Sequence, residues 1–270
     1  VEGGATVVCA MDPAGVMGIL GSKELAEVGA DIGARLRRVV DAFLAAEDDR
    51  FFEHPGVDWV GLDDRAAARE LAGHIAELGH RRIGIVCTRL GASRYNGPVT
   101  AERRLEATYA VQRERLAGFF EGLAAAGVDA SEISVEERFL DSRESGALAL
   151  DSLLAREPDL TAVCCLADVL ALGVIEAAER RGLRVPADLT VTGFDDIPES
   201  QRAGLTTVQQ PLAQKGREAG RLILERLADG QGAGARGRAR RTRRVVLPTV
   251  SQIRSSSGPA AKPGPPDPED

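Results

Sequence analysis

Two adjacent carboxylates, Asp195 and Asp196, follow the apolar run Leu189–Gly193 in the stretch Gly193-Phe194-Asp195-Asp196. Carboxylates in such a turn could accept hydrogen bonds from a hydroxylated ligand, bind a metal or move a proton. The last two uses need company: a second acid at working distance, a base, or further ligands. The chain has three histidines, His54, His74 and His80, and the last two lie six residues apart, the wrong spacing for one helix face. No Ser-His-Asp pattern, metal-ligand cluster or phosphate loop accompanies the carboxylates. The expectation is a binding protein with no cofactor and no metal, and not an enzyme.

The elements that position these residues alternate. Strand candidates cover 57–62, 82–87, 136–140, 161–165 and 189–193, with 245–247 as a later return. Helix candidates cover 65–78, 112–126, 145–156, 168–181 and 212–228, several with an aspartate before them or a glycine after them. Sustained strand–helix alternation implies an α/β fold with a parallel, doubly wound sheet and right-handed crossovers. Ligands in such sheets bind beyond the carboxyl ends of the strands. The site candidates are therefore Asp63 and Asp64, the loop after Cys87, Asp141, Ala167-Asp168 and Asp195-Asp196. Asp168 is expected to cap its helix in preference to touching ligand.

The 270 residues are 44% hydrophobic and 28% charged, enough for a packed core. A net charge of −7 argues against a chain that coats nucleic acid. Cys9, Cys87, Cys164 and Cys165 form no CxxC pair and read as buried, reduced thiols; Cys164 and Cys165 should point to opposite faces of one strand. No apolar run is long enough to span a membrane, and residues 1–30 lack the order of a signal peptide, so a cytoplasmic location is expected. The arginine run from Arg236 to Arg244 reads as a solvated linker, residues 259–270 as a disordered tail. Glu24 to Val40 faintly suggests helix-turn-helix but reads as an ordinary helix pair.

Several strings together resemble the sugar-sensing core of lactose-repressor-type regulators, the LacI/GalR family. They are Leu78-Gly79-His80-Arg81-Arg82-Ile83-Gly84, Gln112 to Phe119, Asp168 to Gly173, Gly182 to Leu189, Gly193 to Pro198, Leu205 to Pro211 and Leu247-Pro248-Thr249. They keep the family's order and spacing from about Val57 to Ser257. The resemblance implies two Rossmann-like lobes, similar to periplasmic sugar-binding proteins, with a small sugar-like or nucleoside effector between them. It also implies a homodimer that reaches operator DNA through an N-terminal helix-turn-helix head, for which residues 1–55 offer no convincing counterpart. By the same resemblance Arg115 and Asp195 bind the effector; Tyr109, as an aromatic near the Arg115 helix, and the strand-end residues Asp141 and Asp168 are the further candidate contacts. Ala167 stands where an asparagine often contacts ligand, and Asp141 where some members carry an aromatic ring. The expected organisation is an atypical segment 1–55 and a core 56–258. Within the core, an N-lobe covers about 56–115, with its first strands not recognisable, a C-lobe about 116–228, and a strand return 245–253. Two rivals remain: a stand-alone binding protein of periplasmic type, and a peptidoglycan glycosyltransferase fragment. The latter rests on Glu47 in the string Glu47 to Asp58, which resembles that family's first motif.

Overall fold

The computed structural model describes residues 59–231 and 243–260. Glu47 and its string, Cys9, His54, the helix-turn-helix-like stretch, most of the arginine run and the end of the tail lie outside the described residues.

In chain order the elements are β1 (Trp59–Leu62), α1 (Asp64–Glu77), β2 (Ile83–Thr88), β3 (Gly97–Pro98) and α2 (Ala101–Leu105). Next come α3 (Ala110–Ala125), β4 (Ile133–Arg138), α4 (Arg143–Arg156), β5 (Ala162–Cys165) and α5 (Asp168–Arg180). The last are β6 (Thr190–Thr192), α6 (Pro198–Arg202), β7 (Thr207–Gln209), α7 (Leu212–Gln231), β8 (Arg244–Leu247) and β9 (Val250–Gln252). The central sheet has the order β3-β4-β2-β5-β6, in which β4, β2, β5 and β6 are mutually parallel and the short β3 runs antiparallel at the edge. β7, paired antiparallel with β9, adjoins β6 through parallel bridges at Thr192–Thr206 and Asp195–Gln209. The expected α/β alternation with a parallel sheet is what forms.

Strand periodicity sorts the core. Ile83, Ile85, Cys87 and Cys164 face α1 and α3, where Leu71, Ile75, Phe119 and Leu123 are fully buried. Val86, Val163, Cys165 and Val191 face α4 and α5 with Leu150, Leu153 and Leu170. Cys164 and Cys165 thus point to opposite faces, as adjacent strand residues must. Each large apolar side chain buried this way contributes about 1.5–3 kcal/mol. The two helix pairs pack closely: a Cβ on Gly118 or Gly122 would strike the α1 carbonyls of Arg65 and Arg69, and one on Gly146 or Gly173 would strike those of Leu170 and Arg143.

Of the described residues, 62–211 and 246–260 form one compact unit, and 59–61 with 212–231 and 243–245 another. The chain therefore passes between units three times, at 61/62, 211/212 and 245/246. This differs from a lobe boundary near 115/116. α3 runs unbroken through that point, and Leu116 and Phe119 pack in the same core as Leu71 of α1. α7, expected in the C-lobe, falls in the other unit.

Strand β4 starts three residues earlier than the 136–140 expected for it. Its two glutamates are wholly buried, which a reading by apolar pattern cannot anticipate. Glu136 is paired with Arg138 and Arg156. Glu137 pairs with Arg103 and accepts from the Leu90 amide, tying the segment after β2 to the sheet.

Candidate functional site at the carboxyl ends of β4, β5 and β6

Arg115 sits at the centre. It lies one turn into α3, facing the sheet, with its side chain only 7% exposed. Its Nε donates to Asp64 Oδ1 at 2.8 Å and its Nη1 to the Leu166 carbonyl at 2.6 Å. Its Nη2 lies 3.2 Å from Asp195 Oδ1. The guanidinium also stacks 3.9 Å from the centroid of Phe194. One side chain so joins the start of α1, the end of β5 and the turn after β6. The division of labour at the start of α1 follows: Asp63 is the cap, accepting from the Ala66 amide, which leaves Asp64 for Arg115.

The turn after β6 is held in an uncommon backbone. Asp195 has φ of +125° and Asp196 +58°, positions where a non-glycine residue costs about 1–3 kcal/mol. The Asp195 amide donates to the Val208 carbonyl, and Gln210 Nε2 donates to Asp195 Oδ1. Asp196 turns the other way and pairs with Arg254 at 2.7 Å.

Asp168 is placed differently from its expected role as a helix cap. Ala167 is the cap residue of α5, with no side-chain hydrogen bond. Asp168 is fully buried; its Oδ2 accepts from the Ile197 amide and Ser200 Oγ, its Oδ1 from Thr207 Oγ1. These bonds brace the turn that presents Asp195. Asp141, past the end of β4, is half-buried, and its Oδ1 is buried with no hydrogen-bond partner in the protein. Tyr109 occupies the position before α3 and is half-buried, without a side-chain capping bond. Asp64, Phe194 and Gln210 were not singled out as effector contacts; their signals were a strand-end position, a GFDD turn and the string Val208-Gln209-Gln210-Pro211.

Electrostatics follow from four carboxylates around one guanidinium. Burial pushes Asp195 up to about 7, opposed by Arg115 and reinforced by Asp168, Asp141 and Asp64. Burial also raises Asp141, against the pull of Arg115 and Arg89.

A family model for the periplasmic binding protein-like domain matches residues 72–257. The chain belongs to that family. Within it, this periplasmic-binding-protein-like core is of the type found in LacI-family regulators. It is 47% identical over 170 residues to an HTH-type transcriptional regulator of Mycobacterium tuberculosis, covering 63% of this chain and 47% of that protein. It superposes on a LacI-family regulator of Corynebacterium glutamicum with a TM-score of 0.66 and 34% identity, over 77% of this chain and 58% of the other. A regulator solved as a CelR–cellobiose complex gives a TM-score of 0.60 and 29% identity, over 75% and 54%. The chain spans about half the length of the curated relatives it matches. Among the described residues, no helix is long and apolar enough to cross a membrane.

The raised Asp195 has a consequence for this periplasmic-binding-protein-like core. A carboxyl whose folded-state pKa exceeds its unfolded value stabilises the fold fully below the unfolded value and loses that contribution as pH rises through the folded one. For Asp195 the window runs from its ordinary 3.8 to about 7. The ligand-free urea midpoint should fall between pH 5 and pH 8. Asp195→Asn should flatten that decline; an unchanged slope would contradict the assignment.

Proposed function

We propose that this chain is the effector-sensing core of a LacI-type transcriptional regulator of repressor type, binding a small sugar-like or nucleoside effector. The contacts we assign are Arg115, Asp195, Tyr109 and Asp141, with Asp64 holding Arg115 and Asp168 holding the turn behind Asp195. The observation that carries the reading is the convergence on Arg115 of three separate elements beyond the sheet's carboxyl ends. Carboxylates accept from hydroxyls and a guanidinium donates to them, which suits a polyol. Cellobiose in the CelR complex supports a saccharide as the class.

We read the core as a sensor in place of a catalyst, because the relatives it matches are regulators. On the same ground we propose a homodimer in the cytoplasm that acts on operator DNA through a helix-turn-helix head. A thermal-shift panel of sugars, polyols and nucleosides tests the reading. A ligand at a hundredfold excess over its Kd should stabilise the fold by about 2.7 kcal/mol. Asp195→Ala should abolish that gain. A panel without any stabilising compound, or a hit indifferent to Asp195→Ala, would overturn the assignment.

A further inference from the structure

We infer that this site selects an uncharged, hydroxyl-rich effector and rejects sugar phosphates and sugar acids, with Asp141 as the residue that enforces the choice. The inference rests on the effector-site reading above and adds the charge class of the ligand.

Each nitrogen of the arginine at the centre already has a partner, which leaves N–H groups for a hydroxyl but no unoccupied nitrogen for an anion. Its Nε, Nη1 and Nη2 face Asp64, the Leu166 carbonyl and Asp195, and its face covers Phe194. An anion needs a guanidinium fork free to receive it. Here it would have to displace a carboxylate from a buried ion pair, leaving that carboxylate uncompensated.

The surroundings of Arg115 are rich in carboxylates. The carboxylates of Asp64, Asp141 and Asp168 act on Asp195, and that of Asp168 on Asp141, against Arg115 and, at Asp141, Arg89. Arg254, the other cation packed near the turn, is held by Asp196 at 2.7 Å and donates to the Leu205 carbonyl at 2.8 Å. An entering phosphate or carboxylate therefore adds negative charge beside Asp195 and Asp141, whose ionised forms burial already disfavours, in a half-dry setting where like-charge repulsion is weakly screened.

Asp141 Oδ1 is buried without a donor in the protein. A buried acceptor left unpaired is costly, and a ligand hydroxyl is the partner that satisfies it without adding charge. Specificity of this kind is strong because the wrong ligand leaves the polar group unpaired or repelled.

The experiment is isothermal titration of the full chain with a hit from the neutral panel and with its phosphorylated and carboxylated counterparts. The wild type should bind the neutral compound at least 100-fold more tightly than either anion. Asp141→Asn keeps shape and one acceptor while removing charge, and should narrow that ratio about tenfold or more. Urea denaturation confirms that the variant is folded; Asp141→Ser serves if it is not. An anionic counterpart binding as tightly as the neutral compound would overturn the inference, as would a ratio unmoved by removing the Asp141 charge. Either leaves the site itself standing. Binding of every compound unaffected by Asp195→Ala would instead sink the site reading, and the inference with it.

Discussion

Arg115→Ala should lower the urea-unfolding free energy by about 3–5 kcal/mol, because it removes one partner of a buried ion pair and leaves the others uncompensated. The groups left behind are Asp64 Oδ1, Asp195 Oδ1 and the Leu166 carbonyl. Gln210 still serves Asp195, so Asp64 and the carbonyl carry most of the penalty. The loss should be smaller at pH 5 than at pH 8, since protonating a carboxylate relieves the uncompensated charge. Arg115→Lys keeps the charge but loses the fork and the stacking on Phe194, and should fall between wild type and Arg115→Ala. A loss below about 1 kcal/mol would mean that Arg115 is an ordinary helix-surface charge.

Asp168→Ala should be comparably damaging. Three donors converge on a carboxylate that solvent does not reach, and charge-assisted hydrogen bonds contribute about 1.5–3 kcal/mol each without adding fully. A total loss of about 3–5 kcal/mol is expected. Asp168→Asn places an amide among donors and should also destabilise. The ordering matters: if Asp168 contacted effector directly, Asp168→Asn would weaken binding while leaving the urea midpoint nearly unchanged. The reverse order is expected, with stability falling first and affinity falling only through the displaced Asp195 turn.

Much of this was legible beforehand, for physical reasons that differ by residue. The helices and parallel strands announced themselves by apolar spacing and by glycine ends, because two-sided burial forces continuous apolar strands. The strand-end rule pointed to Asp64, Asp141, Asp168 and Asp195, and the structure gathers Asp64 and Asp195 on Arg115. What spacing could not reveal is how each carboxylate is used. Asp63 and Asp64 are adjacent, yet one caps a helix and the other grips Arg115. Asp168 looked like a cap and is a brace. Glu136 and Glu137 fall within an expected strand, but their residue type does not announce burial; they are buried in β4 because Arg103, Arg138 and Arg156 close over them. Local pattern also does not report that α1 and α3 join one core over an intervening segment, through contacts between positions more than fifty residues apart (Arg65 with Glu121, for example).

The most direct test of the central claim is a crystal structure of the chain with the neutral compound that stabilises it most. The ligand should lie beyond the ends of β4, β5 and β6, with hydroxyls in hydrogen-bond reach of Asp195, Arg115 and Asp141 Oδ1. A ligand seated elsewhere, such as the surface pocket between α1 and β9 lined by Glu70, His74, Glu77 and Ile253, would contradict it.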